Sequence, residues 1–315
     1  MPSLAQAPRG LALGAIAGLG IYRPPVDAPM ARRVTGTDLA GVSYRVHADE
    51  GLSTPSLAAG AARAALRAAG VNSSDIEMII VGTSTPDVLW PTTACLVQTE
   101  LKLPMVASFD LYAAETSLLS ALNVGIRYIS GGARAVLLIG ADSDNQLVDL
   151  PGQGGRVHSR GAAAMVLTPA GGKGGVLSTT AGGAARTDAN GDAQDRVLLA
   201  GLNEAAAECL QKANLAMSEI DLVVGEQSAP DLMQAWSKLA GVPSSRLLVD
   251  PARYGSLWAA APLTALHDAV KEGRLQNGMT ALLLAGGSGP TWAAACLRWN
   301  GGGLAEASPG VERRG

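Results

Sequence analysis

The feature that most limits what this chain can become is that part of it is written twice. DIEMIIVGTSTPD, Asp75 to Asp87, lies over EIDLVVGEQSAPD, Glu219 to Asp231, without a gap. Ile76 and Ile220 stand 144 residues apart (220 − 76), and Pro86 and Pro230 keep that offset. Further on, AVLLIGADS from Ala135 lies over ALLLAGGSG from Ala281, at an offset of 146 (281 − 135). A repeat this long is not the short period of a solenoid. It predicts two like halves packed around a pseudo-twofold axis.

The apolar runs of the repeats and the segments around them give the class. Glu77–Ser84, Ala133–Ser143, the runs GAAAMVLTPA and GGVLSTTAGG, and MTALLLAGGSG are apolar enough for strands buried on both faces. Ser56–Ala69, Arg196–Asn214, Asp231–Ala240 and Ala260–Glu272 read as helices, with Gly70 and Gly273 as stops. Strands alternating with helices mean a layered α/β fold. Residues 181–195 hold Gly, Ala, Asp and Asn without apolar period, so the halves are expected at 1–180 and 181–315.

Both ends need interpretation. LALGAIAGLGIY, residues 11–22, follows Arg9 and has the look of a signal-peptide core, but it is too short to span a bilayer. Its glycines and the closing YRPP suit a buried strand in a cytoplasmic protein. The Gly-rich, charged tail from Gly301 is expected to fray. A net charge of −3, without a basic cluster interleaved with aromatics, argues against nucleic acid. Cys95, Cys209 and Cys296 are widely spaced and lack metal-binding spacing, so they read as buried thiols, and no metal or cofactor is expected.

Phe109–Ile129, FDLYAAETSLLSALNVGIRYI, is where chemistry is expected. Val106, Phe109 and Leu111 end a short strand. From Thr116 the residues Leu118, Leu119, Leu122, Val124, Ile126 and Ile129 make a helix apolar on nearly every side, hence buried. Thr116 and Ser117 suit its first turn, where hydroxyl oxygens accept free N–H groups. Glu115 then stands at a helix N-terminus, which favours negative charge. It is either a cap on the dipole or a reactive group.

A duplicated α/β chain with a buried helix in each half resembles the thiolase fold, with αβαβα layers, and in detail its ketosynthase III branch. The likeness spans nearly all of residues 10–300 and several segments in order. PTTACLVQTEL resembles the family's dimer-surface segment, and SFDLYAAETS stands where the family has its nucleophile. VVGEQSAPDL stands at the family's histidine segment. DPARYGSLWAAAPLTALHDAVKEGRLQNG and AGGSGPTWAAACLRW resemble its asparagine segment and closing hairpin.

The resemblance implies a Cys-His-Asn triad, with the thiolate at the helix N-terminus taking the acyl group. Here those positions carry Glu115, Glu226 and Ser256. His47, His158 and His267 fall elsewhere; His158 is expected in a loop and His267 on a helix surface. A carboxylate is a weak nucleophile, and its acyl product would be a mixed anhydride prone to hydrolysis. The ordinary condensation is therefore not expected. Asp231 stands where many members place a base for acyl carrier protein. Residues 24–45 lack the family's CoA clamp, and residues 181–195 are shorter than its tunnel insert.

Two functions follow from the resemblance. One is a non-condensing partner in a heterodimer with an active ketosynthase III paralogue, in which Trp90 occupies the position that reaches toward the other subunit's pocket. The other is an enzyme of changed chemistry. Glu115 and Glu226 would form an acid–base pair acting on an acyl-CoA or acyl-ACP thioester, by decarboxylation, hydrolysis, dehydration or ring closure. The backbone N–H of Glu115 and one from the Gly287–Ser288 loop would then bind the oxyanion. The partner is a thioester substrate together with a second subunit, homodimeric or heterodimeric, and not a membrane.

Overall fold

The computed structural model describes residues 12–23, 53–143, 160–172, 174–185, 192–254, 257–287 and 289–307. The first half contributes strands β1 (Ala15–Tyr22), β2 (Ile76–Gly82), β3 (Ala107–Leu111), β4 (Ala135–Asp142) and β5 (Gly161–Thr168). The second contributes β6 (Gly175–Gly183), β7 (Leu222–Val224), β8 (Leu247–Leu248), β9 (Thr280–Gly287), β10 (Thr291–Arg298) and β11 (Gly303–Glu306). The helices are α1 (Thr54–Ala69), α2 (Thr93–Leu101), α3 (Ser117–Ser130), α4 (Asp192–Ala213), α5 (Pro230–Leu239), α6 (Pro251–Tyr254) and α7 (Ala261–Lys271).

The strands form two sheets, β11-β1-β5-β4-β2-β3 and β6-β10-β9-β7-β8. With β11 set aside, the two orders are the same order. In each sheet the first three strands pair antiparallel and the last three parallel. The repeat in the sequence is thus a repeat of topology. The expected boundary after residue 180 falls inside β6, the first strand of the second sheet.

Five layers result. One apolar cluster joins α3 (Leu118, Leu119, Leu122, Ile126) and α7 (Leu263, Leu266) to inward residues of both sheets, such as Leu138 and Leu283. A second joins α1 and α2 to the outer face of the first sheet, and a third joins α4 and α5 to the second. All residues of β4 and β9 are buried, as strands covered on both faces must be. Small residues permit this close layering. A side chain at Gly18 would lie 2.5 Å from the Ala69 nitrogen, so β1 touches the backbone of Ala-rich α1 directly.

The helix ends follow local chemistry. Ser53 accepts from the Ser56 N–H at 3.2 Å to cap α1, and Gly70 closes it with φ +62°. The Asp110 carboxylate accepts both the Thr93 and Ala94 N–H groups at 2.7 Å, fixing the start of α2.

One expectation changes and another holds. The C-terminal tail is not frayed through its length: β11 pairs in parallel with β1, Gly18 opposite Gly303, and Lys271 holds Glu306 at 2.7 Å. The apolar N-terminal run is a central strand, β1, flanked by β11 and β5. No described helix is long and apolar enough to cross a membrane.

Candidate active site

β3 delivers the chain to α3 through a tight turn. Ala114 adopts φ +50°, a left-handed conformation that costs a side-chain-bearing residue roughly 1–2 kcal/mol. Hydroxyl groups hold it there. The Ser117 hydroxyl accepts the Ala113 N–H at 2.8 Å and donates to the Ala114 carbonyl at 2.7 Å. The Thr116 hydroxyl donates to the Ala113 carbonyl at 2.6 Å. These two residues were expected to accept the free N–H groups of the first helical turn; they secure the elbow before it instead. The sharp turn drives Glu115 inward, where it is 4% exposed.

The second glutamate arrives from β7. After Gly225, Glu226 is fully enclosed. Its Oε1 accepts the Ser228 N–H and hydroxyl, both at 3.0 Å. Its Oε2 is buried with no hydrogen-bond partner among the described residues. Neighbouring Gln227 stitches this loop down, donating to the Gly225 carbonyl at 2.6 Å and accepting the Asp250 N–H at 2.7 Å. Burial, and then the charge of Glu115, push the Glu226 carboxyl up to about 8 against the hydrogen bonds of Ser228 and Gln227.

Gly287, at the end of β9, closes the site. A Cβ there would overlap the Glu115 carboxylate, so the lack of a side chain is what lets Glu115 lie on the strand end. The structure therefore brings together Glu115, Glu226 and Gly287. Ser256 and Ser288 lie outside the described residues, as do His47, His158 and the 24–45 segment expected to lack a CoA clamp. Trp90 is 82% exposed, on the surface as Leu89 is.

One buried acid was not anticipated. Asp142, at the end of β4, accepts the Ser84 N–H at 2.7 Å and the Thr83 and Thr85 hydroxyls on Oδ1. Its Oδ2 accepts the Ala259 N–H at 3.0 Å from the other half. Burial pushes this carboxyl up to about 7, opposed by those same hydrogen bonds. An Asp closing an otherwise apolar strand was the available signal.

The comparisons with known proteins agree with this architecture. Residues 210–299 match the family described as 3-oxoacyl-[acyl-carrier-protein (ACP)] synthase III C terminal. The β-ketoacyl-[acyl-carrier-protein] synthase III of Aquifex aeolicus is 31% identical over 312 residues, covering 90% of this chain and 99% of that protein. The synthase of the same name from Coxiella burnetii strain CbuK_Q154 is 32% identical over 319 residues, covering 90% and 98%. The chain belongs to the β-ketoacyl-ACP synthase III family. The crystal structure of the Aquifex aeolicus synthase superposes with a TM-score of 0.79 at 29% identity, over 91% of this chain and all of that one. The fold is thus the thiolase fold of the ketosynthase III enzymes.

Among the family's usual reactive residue types, this chain keeps its thiols elsewhere. Cys209 and Cys296 are buried in the outer layer between α4 and β10, where desolvation pushes the Cys209 thiol up to about 11 and Cys296 further. Cys95 is half-buried in α2, not fully buried as expected. His267 is buried, not on a helix surface, because α7 belongs to the central layer and is covered on both sides. Its Nδ1 lies 3.3 Å from Asp268, which also binds Arg23 at 2.6 Å and Arg253 at 2.7 Å. Burial works against the Asp268 carboxylate, yet its bonds to His267 and Arg23 and the nearby arginine charges hold it well below its ordinary range. His267, Asp268 and Glu306 place ligand atoms within 4.8 Å of one another. Arg23, Arg253 and Lys271 already occupy those carboxylates, which suits an ion-pair network better than a metal.

Proposed function

We propose that this ketosynthase III-like chain serves an acyl-thioester pathway of the fatty-acid or polyketide type as the non-condensing partner of an active ketosynthase III. The observation that carries this reading is the burial of Glu115 against Glu226 and Gly287, where the family resemblance calls for a thiolate. Neither carboxylate replaces a thiolate as acyl acceptor, and no described cysteine stands beside them. A cytoplasmic location goes with such a pathway.

The surface supports association. Val88, Leu89, Trp90, Met105 and Tyr112 are large apolar residues left exposed, Leu89 by 70% and Met105 fully. They flank α2, the segment that resembles the family's dimer surface. A monomer gains nothing from such exposure, whereas a partner subunit buries it.

A second reading has its own support. Glu226 holds a proton near neutral pH, and its Oε2 has no partner among the described residues. Such a group is suited to general acid work on an acyl thioester or a polyketide intermediate, by decarboxylation, hydrolysis, dehydration or cyclisation.

The two are separated by mixing. The purified chain is combined with a ketosynthase III that carries Cys, His and Asn, and the assembly is sized by light scattering while turnover of acyl-CoA with malonyl-ACP is followed. The partner reading expects a mixed dimer, weakened at least about tenfold by Trp90→Ala, and turnover that survives Glu115→Ala. Absence of any complex, with turnover by this chain alone that is lost in Glu115→Ala, supports the altered enzyme and ends the partner reading.

A further inference from the structure

We infer that the second half holds a binding site for a free carboxylic acid with an apolar body, in a cavity beside β7 where Arg246 pairs with the carboxylate. Neither Glu115 nor Glu226 lines this cavity, so the site stands or falls independently of the acyl-thioester reading.

The cavity measures about 370 Å³ and lies between the turn before β7, the end of α5 and the turn before β8. Small-molecule sites are usually cavities of roughly 300–1,000 Å³. Its apolar walls are Met217, Ile220, Val223, Ala240, Val242 and Pro243. Ile220, Val223 and Val242 belong to the outer cluster that joins α4 and α5 to the second sheet. Protein interiors pack as densely as organic crystals, so an apolar-walled gap at the edge of a core forfeits dispersion contacts that a guest can restore.

Arg246 is the one charged residue of the lining. It is half-buried, and its Nη1 donates to the Ser218 and Ile220 carbonyls, both at 3.3 Å. These bonds are just longer than the usual range of about 2.7–3.2 Å. Nε and Nη2 have no acceptor, and the guanidinium has no acid partner, among the described residues. By contrast Arg23, Arg63, Arg134 and Arg253 each hold a carboxylate. The acids closest to Arg246 along the flanking segments are engaged elsewhere. Glu219 accepts the Ala216 N–H and Asp221 the Thr280 N–H, both at 2.8 Å, and Asp250 accepts the Arg253 N–H at 3.1 Å. Arg246 is not needed to cap α5 either. The N–H groups of Ala240, Gly241 and Val242 take the carbonyls of Trp236, Lys238 and Ser237.

A guanidinium with a free edge matches the two oxygens of a carboxylate, and charge-assisted hydrogen bonds are roughly twice as strong as neutral ones. A phosphate brings more charge and more oxygens than one guanidinium and apolar walls can serve. A neutral alcohol leaves the cation uncompensated. An alkyl monocarboxylate satisfies the walls and the guanidinium at once.

The test is calorimetric titration of the full chain with sodium octanoate, 1-octanol and inorganic phosphate, in wild type, Arg246→Gln and Ser218→Trp. Ser218 is an exposed residue of the lining, so a Trp there obstructs the cavity without replacing a core side chain. The expected result is octanoate binding at least about tenfold tighter than 1-octanol, an advantage falling to about twofold or less in Arg246→Gln, with octanoate binding lost in Ser218→Trp. Octanol or phosphate binding as tightly as octanoate would overturn the inference. So would octanoate binding unchanged in either variant, or no octanoate binding to wild type. Urea unfolding checks that the variants are folded; where Arg246→Gln is not, the octanol comparison and Ser218→Trp decide.

Discussion

The protein contains the same elbow twice and uses it in two ways. In the first half Ala114 has φ +50°, Thr116 N–H bonds the Ala113 carbonyl at 3.1 Å, and α3 follows. In the second half Trp258 has φ +47°, Ala260 N–H bonds the Leu257 carbonyl at 2.9 Å, and α7 follows. Trp258 stands 144 residues after Ala114 (258 − 114), the offset of the repeat, so Glu115 corresponds to Ala259. The first elbow buries a carboxylate whose charge acts on Glu226, and one Glu226 oxygen has no hydrogen-bond partner among the described residues. The second presents a methyl group, and its N–H is taken by Asp142 from the other half. Duplication has kept the backbone, and a few side chains make the two elbows differ.

The largest expected effect lies at the second elbow. Asp142→Ala removes the acceptor of the buried Ala259 N–H, the half-buried Ser84 N–H and two buried hydroxyls, and should destabilise the protein by about 3–5 kcal/mol in urea unfolding. Asp142→Asn keeps part of the network and should cost less. A loss under about 1 kcal/mol in Asp142→Ala would mean that the second elbow does not depend on its acid.

A smaller effect is expected at the first elbow. Gly287→Ala puts a Cβ into the Glu115 carboxylate, with a cost of about 1–3 kcal/mol. The second elbow carries only Ala259 at the position of Glu115. Glu115→Ala copies that arrangement and should rescue Gly287→Ala to within about 0.5 kcal/mol. Additive costs in the double mutant would break the comparison.

The two carboxyls also differ in their pH signature. Glu226 has its folded-state value raised from 4.5 to about 8, so between those values the folded chain binds more protons than the unfolded one. Its contribution to stability is full below the unfolded value and is lost as pH rises through about 8, with a slope of at most about 1.4 kcal/mol per pH unit. Asp142 acts in the same sense between 3.8 and about 7. Glu226→Gln should remove the part of the slope that persists above neutrality and leave the lower part. Trp90→Ala, at an exposed position, should change monomer stability by no more than about 0.5 kcal/mol.

Much of this was legible beforehand, and the exceptions share a cause. The sheets follow from the repeat, and the burial of α3 and β9 from unbroken apolar runs. Glu115 and Glu226 were found because family segments place them. The left-handed turns at Ala114 and Trp258 carry no residue signal, since neither is a glycine. Asp142 finds its partner Ala259 117 residues away (259 − 142), and local pattern does not register such pairing. His267 looks like a helix-surface residue until sheets cover α7 on both sides. β11 is short and Gly-rich, and only its partner β1 makes it a strand.

The most direct measurement is product analysis of this chain alone, incubated with acyl-CoA and malonyl-ACP, together with its intact mass. The expected result is no acyl adduct and no ketoacyl product, with product appearing only when a Cys-His-Asn ketosynthase III is added. A ketoacyl product from the chain alone, lost in Glu115→Ala, would contradict the account at its centre.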